Sequence, residues 1–251
     1  MIDTHSHLFN EQFNDIDECI LRCKDNNINK IVLVGFDSKT NQLALEYSKK
    51  YSIFYPTAGI HPSEASADDQ KLLDELYTFV NENKVYAIGE CGLDYYWTKD
   101  NMEYQKLLFK AQIELSIKMD LPIIIHMRDA CKDTYDILKE YSGKIKGVMH
   151  CYSGSYEMAL EFIKLGLHIS LGGPVTFKNA KDSKRVAELI PIDKLLIETD
   201  CPYLAPTPFR GTRNESSYVK YVAEEIAKLR GLTLKEIDEI TTRNSEILFR
   251  I

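Results

Sequence analysis

The 251-residue sequence lacks several features that would indicate a secreted, membrane-spanning or extended nucleic-acid-binding protein. It opens without the basic and apolar segments of a signal peptide, and no apolar run approaches the ~20 residues that a membrane span needs. The net charge of -7 argues against a broad basic face that grips nucleic acid along its length. Bound divalent cations can supply positive potential locally, so this charge leaves a nucleic-acid substrate open.

Cysteines are scattered, and no segment has the composition of a domain linker. Of six cysteines only Cys19 and Cys23 are close together, at a spacing that suits one face of a helix. This pattern favours reduced thiols, and we expect a cytoplasmic protein with no membrane partner. Because β/α barrels reach this length as one unit, we expect residues 1–251 to form a single domain. We expect it to be a monomer or a weak oligomer.

Short apolar segments alternate with amphipathic ones along the chain. Eight of them predict strands, at residues 2–5, 30–36, 53–58, 85–90, 122–126, 147–150, 167–171 and 194–200. Most are rich in Val, Ile and Leu without alternation, as in strands buried on both faces of a parallel sheet. Helical patterns at 101–119, 129–141, 155–165 and 217–229 lie between or after them, with Asp129 and Ser155 as predicted N-caps. This order predicts an α/β fold, a (β/α)8 TIM barrel, with an open six- or seven-stranded sheet as the alternative.

Unusual polar residues fall at the ends of these predicted strands. The carboxyl ends of the strands of a parallel barrel converge on one rim, where active sites are built. Histidine and carboxylate together suit zinc, manganese, iron or cobalt, and Glu90 has two oxygens with which it could bridge a pair of ions. The sequence therefore predicts a metal site made by His5, His7, Glu90, His126, His150 and Asp200.

Two further histidines are less constrained. His61 follows the third strand in Gly-Ile-His-Pro, on the same rim, and we interpret it as a site residue, either a substrate contact or a partner of a ligand. His168 begins the seventh strand, on the opposite rim, and is interpreted as structural.

Several motifs carry a family resemblance. They are DTHSHL at 3–8, GIHP at 59–62, AIGECGLDY at 87–95, HMR at 126–128, HCYSG at 150–154 and ETDCPYL at 198–204. In this order they resemble the TatD family of metal-dependent deoxyribonucleases, in the amidohydrolase superfamily. The resemblance extends to RGTRNE at 210–215 and to Asn244, and so covers essentially the whole chain.

The resemblance implies two divalent metal ions, which could be magnesium, manganese or zinc. One would be held by His5, His7, Glu90 and Asp200, the other by Glu90, His126 and His150. Glu90 would bridge the two ions. In the mechanism we expect, Asp200 accepts the proton of the attacking water or orients that nucleophile while it coordinates one metal. Arg128, Ser153 and Gly154 would contact a substrate phosphate, for which arginine offers a bidentate donor fork and a helix N-terminus offers backbone amides.

The activity expected from this resemblance is phosphodiester hydrolysis on DNA ends, single strands or short oligonucleotides, through a metal-activated hydroxide. Three alternatives stay open: deacylation of D-aminoacyl-tRNA, hydrolysis of a cyclic amide or lactone, and a non-catalytic metal-binding role. Arg128 and the Ser153–Gly154 anion site favour a phosphate-bearing substrate over a cyclic amide. The filling of all six ligand positions argues against the non-catalytic role.

Overall fold

Eight parallel strands form the centre of the molecule. The computed structural model describes residues 1–9, 11–97 and 99–251. Within them the strands are β1 (Ile2–Ser6), β2 (Lys30–Val34), β3 (Phe54–Thr57), β4 (Ile88–Asp94), β5 (Ile123–Arg128), β6 (Gly147–Met149), β7 (Leu167–Leu171) and β8 (Leu195–Ile197). Each of the eight segments predicted from apolar composition overlaps one of these strands.

The strands close on themselves. Two ladders run in chain order, β1 to β3 and β4 to β8. Parallel bridges join them at both seams, Ala58 with Ile88 and Ser6 with Cys201. Since this arrangement joins the first strand to the last, the predicted (β/α)8 barrel is confirmed and the open sheet is wrong.

Helices surround the strands. They are α1 (Ile16–Asp25), α2 (Ser38–Lys50), α3 (Asp69–Glu82), α4 (Met102–Lys118), α5 (Cys131–Glu140), α6 (Tyr156–Lys164), α7 (Lys181–Leu189), α8 (Val219–Arg230) and α9 (Leu234–Phe249). Ser155 caps α6 as predicted, accepting a hydrogen bond from the N–H of Met158. The N-cap of α5 is Ala130 rather than Asp129, because Asp129 adopts a left-handed backbone conformation with φ 53°. No helix in the described ranges is long and apolar enough to cross a membrane.

A small apolar cluster inside the barrel explains where the polar residues point. It joins strand residues with the end of α9, namely Val32, Val34, Ala87, Ile124, Val148, Leu196, Leu248 and Phe249. Side chains two apart along a strand lie on the same side. Two residues beyond Ile124, Val148 and Leu196 come the polar residues His126, His150 and Glu198. The barrel interior is therefore filled by apolar side chains around this cluster and by polar side chains nearer the carboxyl ends of the strands.

The fourth strand differs from its predicted boundaries. It runs past Glu90 to Asp94, so Glu90 lies inside β4 and the prediction that it ends the strand is wrong. Between Ile88 and Cys91 the pairing with β5 shifts by one residue, which marks a bulge. Gly89 takes φ +126° there, and a Cβ on it would lie 2.5 Å from the carbonyl oxygen of Ile124. Bulges re-aim side chains, and this one directs Glu90 at the histidines of the neighbouring strands.

The other ligand candidates also sit at positions slightly different from the predicted strand ends. His126 lies within β5, two residues before its end, because β4 and β5 remain paired as far as Asp94 and Arg128. The eighth strand ends at Ile197, so Asp200 lies in the turn that follows, with φ 57°. These shifts leave the candidates at the same end of the barrel.

Candidate metal centre

The six histidine and carboxylate residues predicted as metal ligands lie together at the carboxyl end of the barrel. Five of them line one cavity of about 750 Å³, and His5 is not among its lining residues. His5, Glu90 and His150 are buried, and the side chain of Asp200 is largely buried. Five separate strands or strand ends thus bring six polar groups into one small volume, although the residues are far apart in sequence.

Glu90 lies between two groups of histidines, and each of its oxygens faces one group. Oε1 is 3.0 Å from Nδ1 of His126 and 2.9 Å from Nε2 of His150. Oε2 is 3.4 Å from Nε2 of His5 and 3.7 Å from Nε2 of His7. Burial by itself would raise the pKa of the Glu90 carboxyl, but the surrounding histidines, foremost His150, bring it well below its ordinary value. Glu90 is therefore a carboxylate with two separately directed acceptors.

Asp200 completes the group around His5 and His7. Its Oδ1 lies 3.6 Å from Nε2 of His7 and 3.9 Å from Nε2 of His5. Its backbone N–H donates to the carbonyl of His5, which ties the turn to β1. Burial would raise the pKa of Asp200, but the nearby imidazole of His7 and the charges of the other histidines lower it. The side chain is thus held ionised beside two imidazoles.

The donor atoms have the separation expected of metal ligands. Two nitrogens that each lie about 2.0–2.1 Å from a tetrahedral zinc ion stand about 3.3–3.4 Å apart. The Nε2 atoms of His5 and His7 are 3.2 Å apart, and Nδ1 of His126 is 3.3 Å from Nε2 of His150. Nδ1 of His5 is buried with no hydrogen-bond partner among the described residues. The residues present fit divalent cations.

Among the described residues, three sets could each hold an ion. The first two share His5, and none of the three reproduces a predicted ligand set in full. Their atoms lie within 4.8 Å of one another in His5–His7–Asp200, in His5–His150–Glu198 and in His61–Glu90–His126. The first set belongs to the predicted first site. The third brings in His61, whose Nε2 is 3.8 Å from Oε1 of Glu90. Burial lowers the pKa of His61 to about 4, so its imidazole is neutral and able to bind a metal or donate to substrate.

Two carboxylates that were not predicted as site residues contact the candidate ligand histidines. Oδ2 of Asp94 lies 3.0 Å from Nε2 of His126. Oε1 of Glu198 lies 3.4 Å from Nδ1 of His150 and accepts a hydrogen bond from the N–H of Cys151. Carboxylates behind metal-binding histidines fix the ring orientation and raise the basicity of the ligand. Asp94 lies in the motif at 87–95 and Glu198 in the motif at 198–204, so the motifs are the sequence signal for both residues.

The substitution Asp94→Asn is expected to weaken metal affinity by about 10–100-fold, the usual effect of losing a partner behind a ligand histidine. The amide keeps the shape of the side chain, but removes the negative charge that faces Nε2 of His126. Isothermal titration of the metal-free protein with Zn²⁺ or Mn²⁺ measures the change.

Asp133→Asn is the matched control, because Asp133 contacts Tyr95 and Lys106 on the outer side of the same segment. Equal metal affinity of Asp94→Asn and wild type would show that Asp94 does not support the centre.

The predicted substrate contacts take different positions around the cavity. The cavity is lined by His61, Arg128 and Ser153. Gly154 is not one of its lining residues. Gly154 instead lies against Tyr152, whose hydroxyl oxygen would be 2.5 Å from a Cβ at that position. The guanidinium of Arg128 lies 3.8 Å from the ring centre of Tyr96. The structure therefore brings Arg128, His61 and Ser153 to the cavity wall, whereas Gly154 is outside the residues that line it.

Comparisons with known proteins identify the family to which the chain belongs. A family model described as TatD related DNase matches residues 2–250. An uncharacterised metal-dependent hydrolase, YabD of Bacillus subtilis, is 49% identical over 100% of this chain and 99% of its own length. A protein of Klebsiella pneumoniae named 3'-5' ssDNA/RNA exonuclease TatD is 33% identical, over 100% of this chain and 98% of its own length.

Solved structures include the TatD homologue YJJV of Escherichia coli K12. It superimposes with a TM-score of 0.93 at 28% identity, covering 100% of this chain and 98% of that one. The resemblance found from the motifs is thereby confirmed. The chain belongs to the TatD family and is a metal-dependent hydrolase.

Proposed function

We propose that this protein is a metal-dependent phosphodiesterase that removes nucleotides from the ends of single-stranded nucleic acid, with DNA as its main substrate. The observation that carries the proposal is Glu90, whose two oxygens face two separate groups of histidines. Such an arrangement suits a pair of cations that act on one phosphate. The name of the Klebsiella relative, a 3'-5' ssDNA/RNA exonuclease, supports the substrate class.

The ligand assignment we propose divides the residues between two ions. His5, His7, Glu90 and Asp200 hold one ion, and Glu90, His126 and His150 hold the other. When bound, divalent cations lower the pKa of a water molecule and offset negative charge on a phosphate. The close approach of His61 to Glu90 gives it a place at the second group, or at the substrate atom next to it.

The protein's own groups then handle the proton and the phosphate. Asp200 is held ionised by its neighbours, so a carboxylate oxygen can accept the proton that the attacking water loses. Arg128 and Ser153 both line the cavity, and in this proposal the guanidinium of the first and the hydroxyl of the second donate to non-bridging phosphate oxygens. Phe36, Val175 and Leu204 supply apolar walls that limit water around the scissile bond.

The shape and charge of the molecule favour strand ends over duplex. The cavity is local and the net charge is -7. A long duplex is gripped through many phosphate contacts from lysine and arginine. A protein without a basic excess has few such contacts to offer, whereas one strand end can enter the cavity.

Incubation with a panel of substrates tests the proposal. The metal-loaded protein should shorten single-stranded oligodeoxynucleotides stepwise to mononucleotides, and a chelator should lower the rate by at least about 10²-fold, since the water would lose its activation. Adding Mg²⁺, Mn²⁺ or Zn²⁺ should restore it. Misacylated tRNA and small cyclic amides belong in the same panel. Faster hydrolysis of either than of the oligonucleotide, or cleavage that survives chelation, would contradict the proposal.

A further inference from the structure

Two aromatic side chains at the rim of the cavity are exposed. Tyr96 and Trp97 follow β4 and are 55% and 74% exposed. Their ring centres are 5.0 Å apart and the rings are nearly perpendicular, at 86°. Trp97 lines the same cavity as Glu90, His126 and Arg128. A large exposed indole therefore lines the same cavity as the candidate metal centre, where it can meet a substrate.

The backbone that carries these rings is tied to a ligand histidine. Oδ1 of Asp94 accepts hydrogen bonds from the backbone N–H groups of Tyr96, at 2.9 Å, and Trp97, at 3.3 Å. The other oxygen of the same carboxylate, Oδ2, lies 3.0 Å from Nε2 of His126. One buried side chain thus sets the position of the aromatic pair relative to the centre.

Arg128 completes the arrangement. Its guanidinium carbon lies 3.8 Å from the ring centre of Tyr96 and 5.5 Å from that of Trp97. A guanidinium can stack on an aromatic face while its N–H groups donate within its plane. Arg128 can therefore reach a phosphate oxygen while Tyr96 holds it. A group that can bind phosphate and a ring that can stack on a base then lie side by side. Phosphates and bases are likewise neighbours along a nucleic-acid strand.

We propose that Trp97, supported by Tyr96 and Arg128, is a stacking subsite for a nucleobase of a single-stranded substrate. The proposal rests on the proposed function and adds the part of the substrate that is recognised. Every nucleobase has a π-face, so stacking binds single strands without choosing a sequence. Stacking also supplies affinity that does not depend on positive charge. This matters here because the protein has more acidic than basic residues. A duplex keeps its bases stacked on one another, so the subsite selects unpaired strands.

Trp97 is the single tryptophan of the sequence, so intrinsic tryptophan fluorescence reports this subsite alone. The probe is an oligothymidylate with phosphorothioate linkages, which resist hydrolysis, titrated into the metal-loaded protein. The control strand has the same linkages and sugars but no bases. We expect the oligothymidylate to quench Trp97 and the abasic strand to leave its emission nearly unchanged. Absence of quenching by the oligothymidylate overturns the proposal.

Kinetics with Trp97→Ala test the consequence for turnover. Loss of one base stack is expected to lower kcat/KM for ordinary oligothymidylate by about 5–150-fold. Hydrolysis of the abasic phosphodiester strand should change little, and Trp97→Phe should recover most of the loss. Tyr77→Ala, which removes an exposed aromatic ring from α3, is the matched control. Equal losses on both strands, or no loss on either, contradict the subsite.

The outcomes separate the subsite from the proposed function. If the wild-type protein hydrolyses none of the strands but oligothymidylate still quenches Trp97, the nuclease assignment fails and the base-binding subsite stands. If the strands are hydrolysed with kcat/KM independent of Trp97, the nuclease assignment stands and the subsite is wrong.

Discussion

Replacing Glu90 with glutamine is expected to lower kcat by at least about 10²–10³-fold, the range seen when a preorganised electrostatic contact is removed. The two Glu90 oxygens lie 2.9–3.7 Å from imidazole nitrogens on opposite sides. Glutamine keeps one oxygen and puts an NH₂ group, which cannot coordinate a cation, in place of the other. The variant should therefore also bind fewer divalent ions per chain than wild type.

Metal content and turnover, measured on the same preparation, check this expectation. Elemental analysis after dialysis gives the ions per chain, and oligonucleotide hydrolysis gives kcat. Thermal melting followed by circular dichroism shows that the variant is folded. Glu140→Gln removes the same charge at an exposed position paired with Lys110, and should behave as wild type. A Glu90→Gln protein with unchanged metal content and kcat would show that Glu90 does not bridge ions.

Glu90 also shows how much of the fold and site a sequence can predict. The Val/Ile/Leu segments predicted all eight strands, because burial on both faces leaves an apolar signal that needs no partner to be recognised. That Glu90 would reach the same volume as the histidines followed from parallel topology. The position of Glu90 inside β4 did not follow, because it depends on a bulge set by pairing with β5. Pairing register is set by two strands together, so the sequence of one strand alone does not predict it.

The carboxylates behind the histidines were missed for a related reason. Asp94 and Glu198 are both buried, yet acidic residues in sequence look the same whether they face solvent or a ligand. Only the distances to His126 and His150 identify their role. Gly154 is a different case: its motif predicted a substrate contact, and the structure shows only that the ring of Tyr152 occupies the space where a Cβ would stand. Whether it contacts substrate stays a prediction, and the structure gives it less support than Arg128.

The substitution Asp200→Asn should separate turnover from binding. We expect kcat to fall by about 10²–10⁴-fold, the contribution typical of a positioned general base. KM should change only a few-fold, because the amide has the same shape. The turn is held by its backbone hydrogen bond to His5, which the substitution leaves intact. The amide oxygen can still face His7 and a cation, but a neutral amide does not accept a proton at neutral pH.

Steady-state kinetics on a single-stranded oligonucleotide at saturating metal measure the effects on kcat and KM separately. Saturating metal matters, because any weakening of the ion site would otherwise lower the rate by a different route. Asp193→Asn, exposed just before β8, is the matched control for loss of one charge. A loss that appeared mainly in KM would assign Asp200 to substrate or metal binding alone. A loss confined to kcat, with metal content unchanged, is what a proton acceptor requires, since binding then survives and only the chemical step is slowed.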